Sequence, residues 1–178
     1  MKKVIAMGTS NSRSSINKMF AEWTTKQLED IQFDIVDLNE YDMPIYNPDI
    51  EKESGIPDST LELKKTLDST EAFVISLAEY NGNYTPVFKN TQDWLSRIDR
   101  NIWNEKPVFL LSTSPGKMGG ASALNLAKGS FPYMGANIIS SFSLPEFYKN
   151  FEGEKGIIDE KLASSFTIEL KKFQQQLL

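Results

Sequence analysis

Two textures of apolar residues alternate along this chain: short continuous runs, and longer stretches with helical spacing. Lys3–Met7, Ala72–Leu77 and Pro107–Ser112 are almost uninterrupted apolar runs, as expected of strands buried on both faces of a parallel sheet. Of these, Ala72–Leu77 reads as central. Gln32–Leu38 is also strand-like, but Asp34 and Asp37 interrupt it, which places it near a sheet edge. Ala136–Phe142 is the last predicted strand.

The helical stretches lie between these runs. Ile16, Met19, Phe20 and Trp23 make one stripe on a helix over Ser15–Leu28. A short helix over Ser59–Ser69 turns Leu63 and Leu67 inward. Pro86 opens the next helix, where its missing N–H costs nothing, and Val87, Thr91, Trp94, Leu95 and Ile98 align along it. Trp94 is expected in the core or at a subunit contact. Leu124, Ala127 and Phe131 align on Ala121–Phe131. Leu162, Phe166, Leu170, Phe173 and Leu177 align on the tail from Asp159 to Leu178. Three prolines (Pro44, Pro48, Pro57) make Tyr41–Pro57 an irregular excursion rather than a helix. Such a loop either covers a site or is a surface connection.

Strands alternating with helices imply an α/β chain: a three-layer α/β/α sandwich around a parallel sheet. No repeat, low-complexity tract or linker composition interrupts it, so residues 1–178 are read as one domain. About five strands suit the order 2-1-3-4-5, with a ligand at the switch between strands one and three. The polar turns after strands one, three and four then gather at one end of the sheet.

Composition narrows the chemistry. There is no His and no Cys, which excludes Ser-His-Asp hydrolysis, thiol nucleophiles, disulfides and the common zinc sites. Absence of Cys is compatible with a cytoplasmic location. A net charge of −5 argues against a nucleic-acid partner. No apolar run approaches the ~20 residues that span a bilayer, so no membrane role is expected. The chemistry is therefore expected to reside in a cofactor.

The first turn is the strongest candidate site. Val4–Met7 leads through Gly8 into Thr9-Ser-Asn-Ser-Arg-Ser-Ser-Ile-Asn17, a strand delivering a hydroxyl- and amide-rich turn to a helix N-terminus. Unpaired N–H groups and the positive helix end make such a place an anion site. Ser10, Ser12, Arg13, Ser15, Ile16 and Asn17 are its candidate residues. There is no G-x-G-x-x-G, and Gly116-Lys117 is followed by Met118 rather than Ser or Thr. A Rossmann-bound dinucleotide and a Walker phosphate site are both disfavoured, which leaves a monophosphate. The second turn supplies Glu79, Tyr80, Asn81 and Gly82, where backbone groups can read a flat heterocycle against an aromatic. The third, Thr113–Gly120, brings small residues close to such a ring; Ser112, Ser114 and Gly116 are its candidates. A Ser-rich turn also serves as a plain N-cap cluster, and a Glu-Tyr-Asn-Gly turn as a plain turn. Their joint occurrence after three strands of one sheet carries the reading.

On these residues the chain resembles the NADPH-dependent FMN reductase family, a flavodoxin-like group of quinone, azo and chromate reductases. The family's first loop commonly runs G-S-x-R-x-x-S-x-N. Ser10, Ser15 and Asn17 match it, while Thr9 replaces Gly, and Ser12 replaces Arg with Arg13 one place later. Asp42–Asp49 is similar to L-P-L-Y-N-x-D. Glu79–Gly82 matches P-E-Y-N-x-S/G except for Ala78 in place of Pro. Phe88–Trp94 resembles L-K-N-A-I-D-W, a helix often found at the subunit contact. Ser112–Gly120 resembles S-x-S-P-G-x-x-G-G, and Gly135-Ala136 matches L-G-A. The match runs from Val4 to about Ile139, and the C-terminal region carries no motif.

The resemblance implies FMN as cofactor, its phosphate held by the first turn and its ring by Glu79–Gly82 and the third turn. It implies NADPH or NADH as co-substrate, with hydride passing to flavin N5, and a small-molecule electron acceptor. No catalytic side chain is then required. A homodimer or homotetramer is expected. Two alternatives remain at this point: a flavodoxin-type electron carrier, and a non-catalytic binding domain on the same fold.

Overall fold

Burial along the central strands alternates between two cores, which is what a doubly covered sheet demands. The computed structural model describes residues 1–178. In chain order the first elements are β1 (Lys2–Gly8), α1 (Ile16–Lys26), β2 (Ile31–Val36), α2 (Pro48–Ser54), α3 (Asp58–Asp68) and β3 (Ala72–Leu77). A hairpin of β4 (Glu79–Tyr80) and β5 (Asn83–Tyr84) follows, then α4 (Pro86–Ile98), β6 (Pro107–Thr113), α5 (Ala121–Ser130) and β7 (Asn137–Leu144). The chain ends with α6 (Phe147–Asn150), a second hairpin of β8 (Phe151–Glu152) and β9 (Gly156–Ile157), and α7 (Glu160–Leu177).

The main sheet has five strands in the order β2-β1-β3-β6-β7, all pairs parallel. This is the expected 2-1-3-4-5 order, with β2 at an edge and β3 central. Ile5, Met7, Phe73, Ile75, Leu77, Val108 and Leu110 face one core with α3, α4 and α5. Val4, Ala6, Ala72, Val74, Phe109 and Leu111 face the other with α1 and α7. Two side-chain sets at period two, both buried, leave these three strands no polar face. That explains their uninterrupted apolar sequence.

Two expectations are corrected, one is narrowed, and one stretch carried none. Residues Pro48–Ser54 form a helix inside the supposedly irregular excursion. Asn47 caps it by accepting from Asp49 N, Pro48 occupies the first turn where proline is tolerated, and Gly55 ends it. Met19 leaves the predicted α1 stripe and is exposed, whereas Phe20 is fully buried. Trp94, expected in the core or at a subunit contact, lies in the core, where its Nε1 donates to Pro44 O at 2.7 Å. Finally, α6 and the β8–β9 hairpin occupy a stretch with no sequence signal. Phe147 and Phe151 stack there at 4.7 Å and join the α1–α7 core.

Candidate functional site

The turns after β1, β3 and β6 meet in one cleft of about 210 Å³. Gly8 lets this happen. A Cβ there would fall 2.3 Å from the backbone nitrogen of Lys18, so only glycine allows β1 to run directly against the first turn of α1. The turn that follows is short of internal partners. Ser15 caps α1, its Oγ accepting from Lys18 N at 3.1 Å, and Ser10 Oγ accepts from Ser12 N at 3.1 Å. The N–H groups of Ser10, Ser14, Ile16 and Asn17 donate to nothing in the protein, and all four residues line the cleft. Hydroxyls of Ser10, Ser12, Ser14 and Ser15 surround them. Unspent backbone donors at a helix N-terminus, with hydroxyls and no competing carboxylate in the turn, form the donor set a monophosphate needs.

Side chains are spent instead on joining the turns. Asn17 is 4% exposed; its Oδ1 accepts from Ser76 Oγ at 2.7 Å and from Thr113 N at 3.1 Å, and its Nδ2 donates to Thr113 O at 3.1 Å. That amide ties α1 to the ends of β3 and β6, leaving the backbone N–H as Asn17's free donor. Thr9, fully buried, accepts from Ala78 N at 2.9 Å through Oγ1, and its carbonyl accepts from Thr85 Oγ1 at 2.5 Å. The first turn is thereby fastened to the second and to the cap of α4.

The second turn is a two-residue hairpin. Asn81 (φ 52°) and Gly82 (φ 77°) are both left-handed, the requirement of the tight turn that matches strand twist. Glu79 Oε2 accepts from Ser122 N at 2.9 Å and Ala123 N at 3.1 Å, and Tyr84 Oη shares a hydrogen with Ser130 Oγ at 3.0 Å. All three bonds anchor the hairpin to α5. Burial raises the Tyr84 phenol above its ordinary value, outweighing the Ser130 contact.

Of the predicted residues, Ser10, Ser12, Ser15, Ile16, Asn17, Glu79, Tyr80 and Ser114 line the cleft. Arg13 is exposed and is not among the lining residues, so the sequence's one cation in this turn stands outside it. Asn81 and Gly82 form the exposed hairpin tip beyond the wall. Ser112 is buried beneath, its Oγ donating to Gly119 O at 2.7 Å. Gly116 is exposed, and its carbonyl accepts from Glu146 N at 2.9 Å. Sequence reasoning missed Ser14, Ala78, Thr113, Pro115 and Tyr148 as lining residues. The first four adjoin named positions. Tyr148 is 74% exposed and reaches the cleft from α6, where Phe147 N donates to Ser114 O at 3.0 Å; no local pattern announces it.

The Tyr41–Pro57 excursion contributes no lining residue. It is strapped to α4 by Asn90, which accepts from Tyr46 N at 2.7 Å, and by Arg97 Nε, which donates to both Glu51 oxygens at 3.0 Å. The Arg97 contact holds the Glu51 carboxyl below its usual range, and the bond to Glu51 raises the Tyr46 phenol. Beside the first turn, Lys18 pairs with Asp37. Burial pushes the Asp37 carboxyl up, but the bonds from Lys18 and Asn39 outweigh it and leave it lowered.

A family model described as NADPH-dependent FMN reductase matches residues 2–149. The chain belongs to that family. This FMN reductase is 29% identical over 148 residues to a 2-hydroxy-1,4-benzoquinone reductase from a Burkholderia species, covering 82% of this chain and 77% of that one. A quinone reductase of Escherichia coli K12 is 35% identical over 80 residues, 45% of this chain and 43% of its own. Among solved structures, the flavoenzyme FerB, an NAD(P)H:(acceptor) oxidoreductase from Paracoccus denitrificans, superimposes with a TM-score of 0.77. It is 28% identical, with 98% of this chain and 96% of that one covered. As a family member the protein is an oxidoreductase working with FMN and NAD(P)H. The donor set at Ser10–Asn17 fits the single phosphate of that cofactor.

Proposed function

We propose that this protein reduces small quinones at the expense of NAD(P)H, with FMN held across the cleft. The observation that carries the reading is the set of unspent N–H groups on Ser10, Ser14, Ile16 and Asn17 beside a hairpin anchored on two sides. Bound FMN supplies the hydride chemistry, so the protein needs no acid or base of its own. Its residues bind and orient. The first turn takes the phosphate through backbone N–H and serine hydroxyls. The β4–β5 hairpin offers its backbone and Tyr80 to the ring. Thr113–Pro115 lines the cleft with backbone and a proline ring. Tyr80 is 47% exposed, which leaves room beside it for an exchanging substrate. The names of the Burkholderia and Escherichia coli relatives support a quinone as acceptor.

Family membership supports a homodimer or homotetramer; the Trp94 face does not add to that, because the Tyr41–Pro57 excursion of the same chain covers it. A chain without Cys suits a cytoplasmic location, and no helix is long and apolar enough to cross a membrane. The test is direct. The purified protein is expected to show bound-flavin absorbance and to oxidise NADPH or NADH faster with menadione present. Flavin uptake without any NAD(P)H oxidation would leave an electron carrier, and no uptake would leave a binding domain; either result overturns the proposal.

A further inference from the structure

The cleft is lined by thirteen residues, and Glu79 is the only acidic or basic one among them. Its carboxylate has an unusual occupation. The N-cap position of α5 is Gly120, which has no side chain to cap with. Glu79 supplies the missing acceptor from the opposite turn, Oε2 taking the N–H groups of Ser122 at 2.9 Å and Ala123 at 3.1 Å. A helix N-terminus carries about +0.5 of an elementary charge. With the carboxylate against it, this corner of the cleft holds about −0.5 instead. No lining cation offsets that, since Arg13 stands outside the wall.

We infer that Glu79 is a positioning residue that makes the ring end of the cleft net negative and so holds the bound flavin hard to reduce. This rests on the FMN reading above. Two-electron reduction brings two electrons and one proton into the ring and leaves one added negative charge there. Glu79 opposes that charge, and the α5 N-terminus would favour it if Glu79 were neutral. Glu79→Gln keeps the size and one acceptor oxygen for the α5 N–H groups while removing the charge. Glu79→Asp keeps the charge on a shorter arm.

The experiment is an equilibrium titration of the flavin-loaded protein with dithionite against a reference dye, followed by absorbance. At equal dye poise, E79Q is expected to raise the ratio of reduced to oxidised flavin about tenfold or more, near 30 mV for a two-electron couple. E79D is expected to stay with the unmodified protein. An unchanged ratio in E79Q, or an equal shift in E79D and E79Q, overturns the inference, because the cap geometry and not the charge would then be in control. Should E79Q fail to fold, Glu79→Ala removes the charge instead: a raised ratio in E79A with none in E79D supports the inference, and an unchanged ratio in E79A overturns it. An unmodified chain that takes up no FMN refutes the functional reading itself.

Discussion

Thr9→Val isolates one of the bonds on which the cleft depends. Valine has nearly the shape of threonine, so packing at this fully buried position is retained. What is lost is Oγ1, the acceptor 2.9 Å from Ala78 N. Ala78 is itself 4% exposed, and no other acceptor serves its N–H. Stranding a buried donor costs about 1–3 kcal/mol. For a chain of this length each kcal/mol moves the melting temperature by about 2–4 °C, so T9V is expected to melt roughly 2–12 °C lower. The measurement is urea and thermal unfolding of the flavin-free protein, since bound FMN would stabilise by mass action and hide part of the change. Thr9→Ser keeps the hydroxyl and should lose much less.

The resemblance supplies the closing arm of a double-mutant cycle. Where this chain has Thr9 and Ala78, the family motifs have Gly and Pro. Proline has no N–H to satisfy, so the two departures compensate each other. In the T9V background, Ala78→Pro removes the stranded donor and is expected to cost less than it does alone, giving a favourable coupling of the 0.5–3 kcal/mol size seen for contacting residues. If T9V unfolds within about 0.5 kcal/mol of the unmodified protein, as a surface change would, or if the two substitutions add without coupling, the bond has no such role.

Ser15→Ala removes the α1 cap, with an expected cost of about 0.5–2 kcal/mol and weaker FMN binding by calorimetry, whereas Arg13→Ala should leave FMN affinity unchanged. Lys18–Asp37 predicts a pH dependence. The Asp37 carboxyl is lowered in the folded protein, so its stabilisation is present above the unfolded value and is lost as pH falls through the folded one, below about 4. Thermal unfolding from pH 7 to 3 should therefore show the gap between Asp37→Asn and the unmodified protein closing on acidification. Arg97→Ala should release the Tyr41–Pro57 excursion with little change in global stability, because the Arg97–Glu51 pair is exposed; limited proteolysis should cut that segment first, and uncut protein would show the strap lies in the Asn90 and Trp94 bonds.

The sheet was legible in the sequence because its three inner strands are apolar at nearly every position, and only burial on both faces makes that arrangement stable. The strand order followed from alternation with helices. Helix α2 was hidden because three prolines in one stretch signal breaks, while Pro48 stands in the first helical turn, which tolerates it, behind an Asn cap. The α6 and β8–β9 segment was illegible for a different reason. Elements of two to four residues are too short to hold themselves together, and here Phe147 and Phe151 secure them against a core built by distant residues. At the site, types and spacing located the turns but not the direction of the side chains. Asn17 was a candidate phosphate ligand by position; its amide is consumed by Ser76 and Thr113, contacts 59 and 96 residues away. Arg13 was a candidate by charge; it is exposed and does not line the cleft.

These placements share one logic. Four side chains with good acceptors or donors, Thr9, Asn17, Glu79 and Thr85, are all spent on backbone groups of another turn or of the helix behind it. The backbone N–H groups of Ser10, Ser14, Ile16 and Asn17 are spent on nothing. A frame closed by side chains leaves the stiffest donors, those of the main chain, free for the ligand, and fixes them before it arrives. Ordering entropy is then met in folding and not in binding. In the FMN reading, several fixed dipoles at the α1 N-terminus take the place of one mobile charge, so the phosphate needs no lining cation. It also leaves the one acidic lining group on the second turn, bonded to the α5 N-terminus and not to the α1 donors, so that in the FMN reading Glu79 acts on the ring and not on the phosphate anchor.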